Sequence, residues 1–139
     1  MSVIATDTKR LSNLLKHEHA PEYAYCREVV TVNEAAAKSY VVGTTLGKVT
    51  ADGKYKIAVQ TAVDGSQNVA AIVLADVSIA AATDKKIVVL TRGPAGVNKG
   101  GLVLDATFDL DAEKAAVYAA LEAKGIQVLD QVGVAVGTV

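Results

Sequence analysis

With 139 residues, 51% of them apolar and 14 Lys and Arg against 15 acidic residues, the chain is sized for one domain with a real core and a net charge of −1. Its charges are interspersed, which argues against the clustered basic face that sequence-independent nucleic-acid binding needs. The apolar share is mostly Ala and Val, with one Phe and no Trp, and suits close-packed strands better than an aromatic-lined ligand pocket.

Residues 1–20 show neither a helical period nor strand alternation. Leu11, Leu14 and Leu15 can line one face of a short helix, but a helix of that length is marginal alone. This segment is expected to be an N-terminal arm, mobile until a partner supplies its packing, and residues 21–139 a single domain. Met1–Arg10 has no long apolar run and does not read as a signal peptide. Apolar stretches elsewhere fall far short of the ~20 residues of a membrane span, so a soluble chain with no membrane partner is expected.

Behind Pro21, Tyr23 and Tyr25 lie two apart and share a face of an extended segment. They are either core residues or aromatic anchors at a protein interface. Cys26–Val32 is β-branched and strand-like, and Asn33–Lys38 is a polar or briefly helical connection. Strands are expected over Tyr40–Val49 and Tyr55–Val59, joined by the turn Ala51-Asp-Gly-Lys54 with its glycine where positive φ is easiest. Gly43 and Gly47 fall inside the first of these strands, where glycine marks a bend or a close backbone approach. After the loop Asp64–Asn68, Val69–Ile79 reads as a strand apolar on both faces in its first half, and Ile87–Thr91 as another. Such strands are covered on both sides. Arg92-Gly-Pro94 ends the second, since proline has no N–H for the ladder. Arg27 and Arg92 are either solvated or tie subunits together. Asn98–Gly101 is a further turn.

A helix follows, capped by Asp109 or Asp111 and ended by Gly125. On its wheel Leu110, Val117 and Leu121 form the buried line, with Ala112, Ala116, Ala120 and Ala123 beside them. Lys114, Tyr118 and Glu122 form the expected solvent stripe. Ile126–Leu129 is a short strand, and Gln131–Val139 a Gly/Val tail.

Chemistry is sparse. His17, His19 and Cys26, with a carboxylate, are the residues a small metal-dependent β-barrel enzyme would use. There is no third His, and both histidines precede the expected domain. Nucleophilic catalysis needs a base held near a nucleophile, and Gly-x-Ser-x-Gly is absent. Cys26 is the chain's one cysteine, which excludes an internal disulfide and fits a small buried hydrophobe in a reducing compartment. The glycines around Pro94 and at Gly100-Gly101 do not open directly into a helix, as a phosphate loop does. No catalytic residue, metal or cofactor is assigned.

Four stretches carry a resemblance: His19-Ala-Pro-Glu-Tyr-Ala-Tyr-Cys-Arg-Glu-Val29, Val42-Gly-Thr-Thr-Leu-Gly-Lys-Val49, Lys85–Leu102 with its Arg92-Gly-Pro-Ala-Gly-Val-Asn core, and Leu121-Glu-Ala-Lys-Gly-Ile126. In this order and spacing the chain resembles the head decoration proteins of tailed bacteriophages, the family typified by protein D of lambda-like phages. The resemblance implies a mainly β (α+β) fold, a β-clip or tulip-like bent ribbon forming an incomplete barrel with one C-terminal helix. It implies a non-enzymatic role: homotrimers made in the host cytoplasm, binding the major capsid protein on the outer surface of the expanded head and stabilising it against internal DNA pressure. A tail component of such a virus is the other structural reading. Val3, Ile4, Leu11, Leu14, Pro21, Tyr23 and Tyr25 are then the candidate capsid contacts, and Arg92 and Pro94 the candidate trimer contacts.

Overall fold

The computed structural model describes residues 14–19 and 25–129. Ten strands are found among them: β1 Leu15–Glu18, β2 Arg27–Val32, β3 Lys38–Tyr40, β4 Thr45–Lys48, β5 Tyr55–Ile57, β6 Val69–Val73, β7 Val77–Ile79, β8 Lys85–Leu90, β9 Ala95–Asn98 and β10 Ile126–Leu129. A single α-helix is found among the described residues, α1 over Asp111–Ala123. The fold is mainly β with one C-terminal helix, as expected.

Five strands close into a barrel in the order β2-β5-β4-β6-β8. The resemblance implied an incomplete barrel. Here the ring closes, but its β2–β5 seam is one parallel pair, Val32 with Tyr55. Alternation along the strands sends Val30, Val32, Leu46, Tyr55, Ala71, Val73, Ile87 and Val89 into one interior cluster, which Tyr40 and Ile79 join from the β3–β7 pair. Small and β-branched side chains fill so narrow a barrel without strain, which accounts for the Ala/Val composition.

A second core lies outside the barrel. Residues that face away from the interior (Val69 and Ile72 of β6, Leu90 of β8) pack with Val117 and Leu121 of α1, with Phe108, and with Ala95, Val97 and Ile126 of a three-stranded sheet ordered β1-β9-β10. β6 is therefore covered on both faces, as its sequence predicts. β8 is not: Val88 is exposed on the outer wall, and its cross-strand partner Val29 on β2 is exposed beside it.

The two expected long strands are each broken. Tyr40–Val49 divides into β3 and β4 at Gly43, whose φ of +99° turns the chain. A Cβ on Gly43 would overlap the carbonyl of Gly101, and one on Gly47 the backbone of Ser66. Both glycines thus mark bends or close approaches. Val69–Ile79 divides into β6 and β7, and β7 leaves the barrel to pair with β3.

Within the expected arm, Leu15–Glu18 form β1 and pair antiparallel with β9, and Leu14 is 1% exposed in the outer core. The described end of the arm is part of the packed structure, so the arm proposal is confined to the residues before Leu14. The α1 bounds match the sequence, but two details differ. Its N-cap is Leu110, whose N–H is taken by the Glu113 carboxylate at 3.2 Å, rather than Asp109 or Asp111. Leu110 is exposed, and Tyr118 packs against the core instead of joining a solvent stripe. Ala112, Ala116 and Ala123 are exposed.

Candidate functional site

The loop that leaves β8 and the chain that enters β2 meet at one end of the molecule. Thr91 donates its N–H to the Cys26 carbonyl at 3.1 Å, and His19 donates its own to the Pro94 carbonyl at 2.9 Å. Below them, Gly93 and Ala95 donate to the carbonyls of Lys124 and Gly125, just past the end of α1. A Cβ on Gly93 would overlap the Gly125 carbonyl, so only glycine permits this approach. Backbone bonds therefore fix where the side chains of His19, Tyr25, Arg92 and Pro94 stand.

Those four form an exposed cluster. The Arg92 guanidinium lies 5.0 Å from the centroid of the Tyr25 ring, while its Nε donates to the Tyr25 carbonyl at 2.7 Å. The His19 ring meets the same tyrosine edge-on at 5.6 Å. Tyr25 remains 47% exposed and Arg92 has no carboxylate partner among the described residues. A guanidinium held by a carbonyl on one side and a ring on another keeps its outer N–H groups fixed and free to donate. Beside it, Arg27 of β2 makes a two-pronged ion pair with Glu18 of β1, at 2.8 and 2.9 Å, with the Glu18 side chain 5% exposed. Donation of its N–H groups to the Glu18 carboxylate pushes the Arg27 guanidinium above its ordinary value, so the strap between β1 and the barrel stays charged.

The Cys26 thiol is fully buried beneath this cluster and points at the Pro94 carbonyl, 3.4 Å away. His19 packs on Tyr25, and the side chain of His17 lies outside what the structure describes. No group of three or more His, Cys, Asp or Glu able to hold a metal occurs among the described residues. The buried carboxylate of Glu34 accepts from the Ile57 N–H at 2.7 Å and from the Tyr40 hydroxyl, and so ties β3 to β5. Burial first, and then Glu34, push the Tyr40 phenol far above its ordinary value. This pair is a structural brace.

Of the sequence-predicted contact residues, Val3, Ile4, Leu11, Pro21 and Tyr23 lie outside the described residues. Leu14 is in the core, and Tyr25, Arg92 and Pro94 are on one surface. Tyr25 and Arg92, assigned by sequence to different interfaces, are in direct contact. His19, weighed from the sequence as a metal ligand, belongs with them. Leu110, which the helical wheel placed on the buried line, is instead 61% exposed between the exposed Asp109 and Asp111.

One end of the barrel thus presents an exposed aromatic and cationic cluster, and Val29, Val88 and Leu110 are exposed elsewhere on the surface. The family model described as bacteriophage lambda head decoration protein D matches residues 4–126, so the chain belongs to that head decoration family. It is a structural protein of the phage capsid. No individual curated protein matches it.

Proposed function

We propose that the chain is a capsid cement protein. Trimers sit on the outer surface of the expanded head and hold neighbouring major capsid subunits together against the pressure of packaged DNA. The match over residues 4–126 carries this reading, and the exposed Tyr25–Arg92 cluster supports it, since tyrosine and arginine dominate protein interfaces. The mechanism is linkage: a ligand that prefers the expanded lattice stabilises that lattice by mass action. Each trimer bridges several capsid subunits, so modest contacts combine through multivalency. Residues ahead of Leu14, with Val3, Ile4 and Leu11 as their apolar members, add to a capsid strand edge and gain backbone hydrogen bonds there. Pro21 and Tyr23 extend the same contact.

The test is binding of the purified chain to expanded, undecorated shells and to compact precursor shells, read by electron microscopy and sedimentation. Saturable binding to the expanded form and weak or absent binding to the compact form is expected. Equal binding to both would remove the differential affinity on which stabilisation depends.

A further inference from the structure

The His19–Tyr25–Arg92–Pro94 cluster is exposed and has the chemistry to take a carboxylate beside an apolar side chain, and this chain carries that combination at the other end of α1. Gly93 is bonded to Lys124 at the C-terminal end of the helix. Leu110 caps its N-terminal end. Thirteen helical residues lie between, so the two surfaces are about 20 Å apart and cannot meet within one molecule. Leu110 is 61% exposed although it is large and apolar, and it stands between two exposed carboxylates, Asp109 and Asp111. Neither carboxylate has an ion pair among the described residues, and neither has Arg92. Arg92 and the exposed Lys124 bring cations to one end of the helix, where Glu122 is also exposed, while Asp109 and Asp111 bring carboxylates to the other.

We propose that the cluster of one copy binds the Asp109-Leu110-Asp111 corner of a second copy. The Arg92 fork takes an Asp109 or Asp111 carboxylate, and Leu110 lies against Tyr25 and Pro94. Each copy offers two different surfaces, so the contact is head-to-tail and closes into a ring when the rotation per copy allows. This deepens the proposed function, resting on its trimer: it names the residues that join the copies and moves Tyr25 from the capsid contact to the contact between copies. Opposite charges at the two ends also set the polarity, since head-to-head pairing brings Arg92 against Arg92.

Covalent trapping and charge reversal on expanded, undecorated shells test it. A chain with both Arg92→Cys and Leu110→Cys, treated with a short bismaleimide, is expected to yield covalent dimers and trimers. Each single variant, which retains the buried Cys26, is expected to stay monomeric. Arg92→Glu is expected to weaken shell occupancy about tenfold, as is the Asp109→Arg, Asp111→Arg pair. Combining the two sets is expected to restore occupancy, which simple misfolding of either would not do. Unlinked chains at full occupancy, or charge reversals that leave occupancy unchanged, would overturn the inference while leaving decoration itself intact. Failure of the unaltered chain to bind any shell would instead refute the decoration reading, and the same trapping in concentrated solution then decides the contact by the same bands.

Discussion

Burial of Tyr40, and then its hydrogen bond to Glu34, shape how the barrel responds to alkali. A buried carboxylate is tolerated when it is hydrogen-bonded, and here the Ile57 N–H and the Tyr40 hydroxyl both donate to Glu34 Oε2. The folded state holds the Tyr40 proton to a higher pH than an unfolded chain, whose tyrosines ionise near pH 10. As pH rises past about 10 the unfolded chain releases that proton and the folded one does not. Stability is therefore full below that value and falls above it, by up to about 1.4 kcal/mol per pH unit. Tyr55, raised by burial and then by Glu28, acts in the same direction. Urea unfolding at pH 9 and pH 11 should show this loss, and Tyr40→Phe should shrink it without abolishing it. At pH 7 the same variant should cost about 1–3 kcal/mol, because it leaves a buried carboxylate short of one donor. An unchanged stability at pH 7 would mean that Glu34 finds another donor.

Elements differ in how far they could be read ahead of the structure. The bounds of β10 and the Gly125 stop of α1 were legible because their signals are local: a short apolar run, and a glycine that adopts φ +85°. β9 was not, since Ala95-Gly-Val-Asn98 has no strand pattern of its own and is made a strand by β1 and β10 on either side. The α1 wheel held at Val117 and Leu121, which are buried, and failed at Leu110 for a related reason. Alanine is compatible with either environment, and Leu110, read as an anchor of the buried line, is the N-cap and so lies outside the helical phase. Gly47 was legible as a close approach, but its neighbour Ser66 arrives from a later loop and could not be named. That loop is held by Asp64, which accepts from the Ser66 N–H and hydroxyl and from Lys56, so the Ser66 backbone cannot easily move aside. Gly47→Ala should therefore destabilise the domain by about 1–3 kcal/mol. Gly53→Asn is the control, in an open turn at φ +72° that asparagine tolerates, and should cost well under about 1 kcal/mol. Thermal melts of the two variants separate these outcomes, and equal losses would show that the Gly47 contact is soft.

At the scale of the whole molecule the family and its architecture were legible from four short stretches, while the surface cluster was not. Tyr25 and Arg92 are 67 positions apart and meet only because β2 and β8 are paired along the barrel wall. The same sheet geometry divides the N-terminal region at Leu14. From there on, β1 is fastened to β9 by its ladder and to β2 by the Glu18–Arg27 ion pair. Deleting residues 2–13 spares all of those contacts. Fixing a free segment costs about 1–2 kcal/mol per residue, so an arm that binds the capsid must recover that cost through strand pairing and burial of Val3, Ile4 and Leu11. The deletion should leave the melting midpoint of the domain unchanged and weaken binding to expanded shells about tenfold or more, which is ~1.4 kcal/mol. Removing Leu14 as well should lower the midpoint, because a buried leucine then leaves a cavity in the outer core. A chain lacking residues 2–13 that decorates shells with undiminished affinity would refute the arm contact and leave the capsid interface to the globular domain alone.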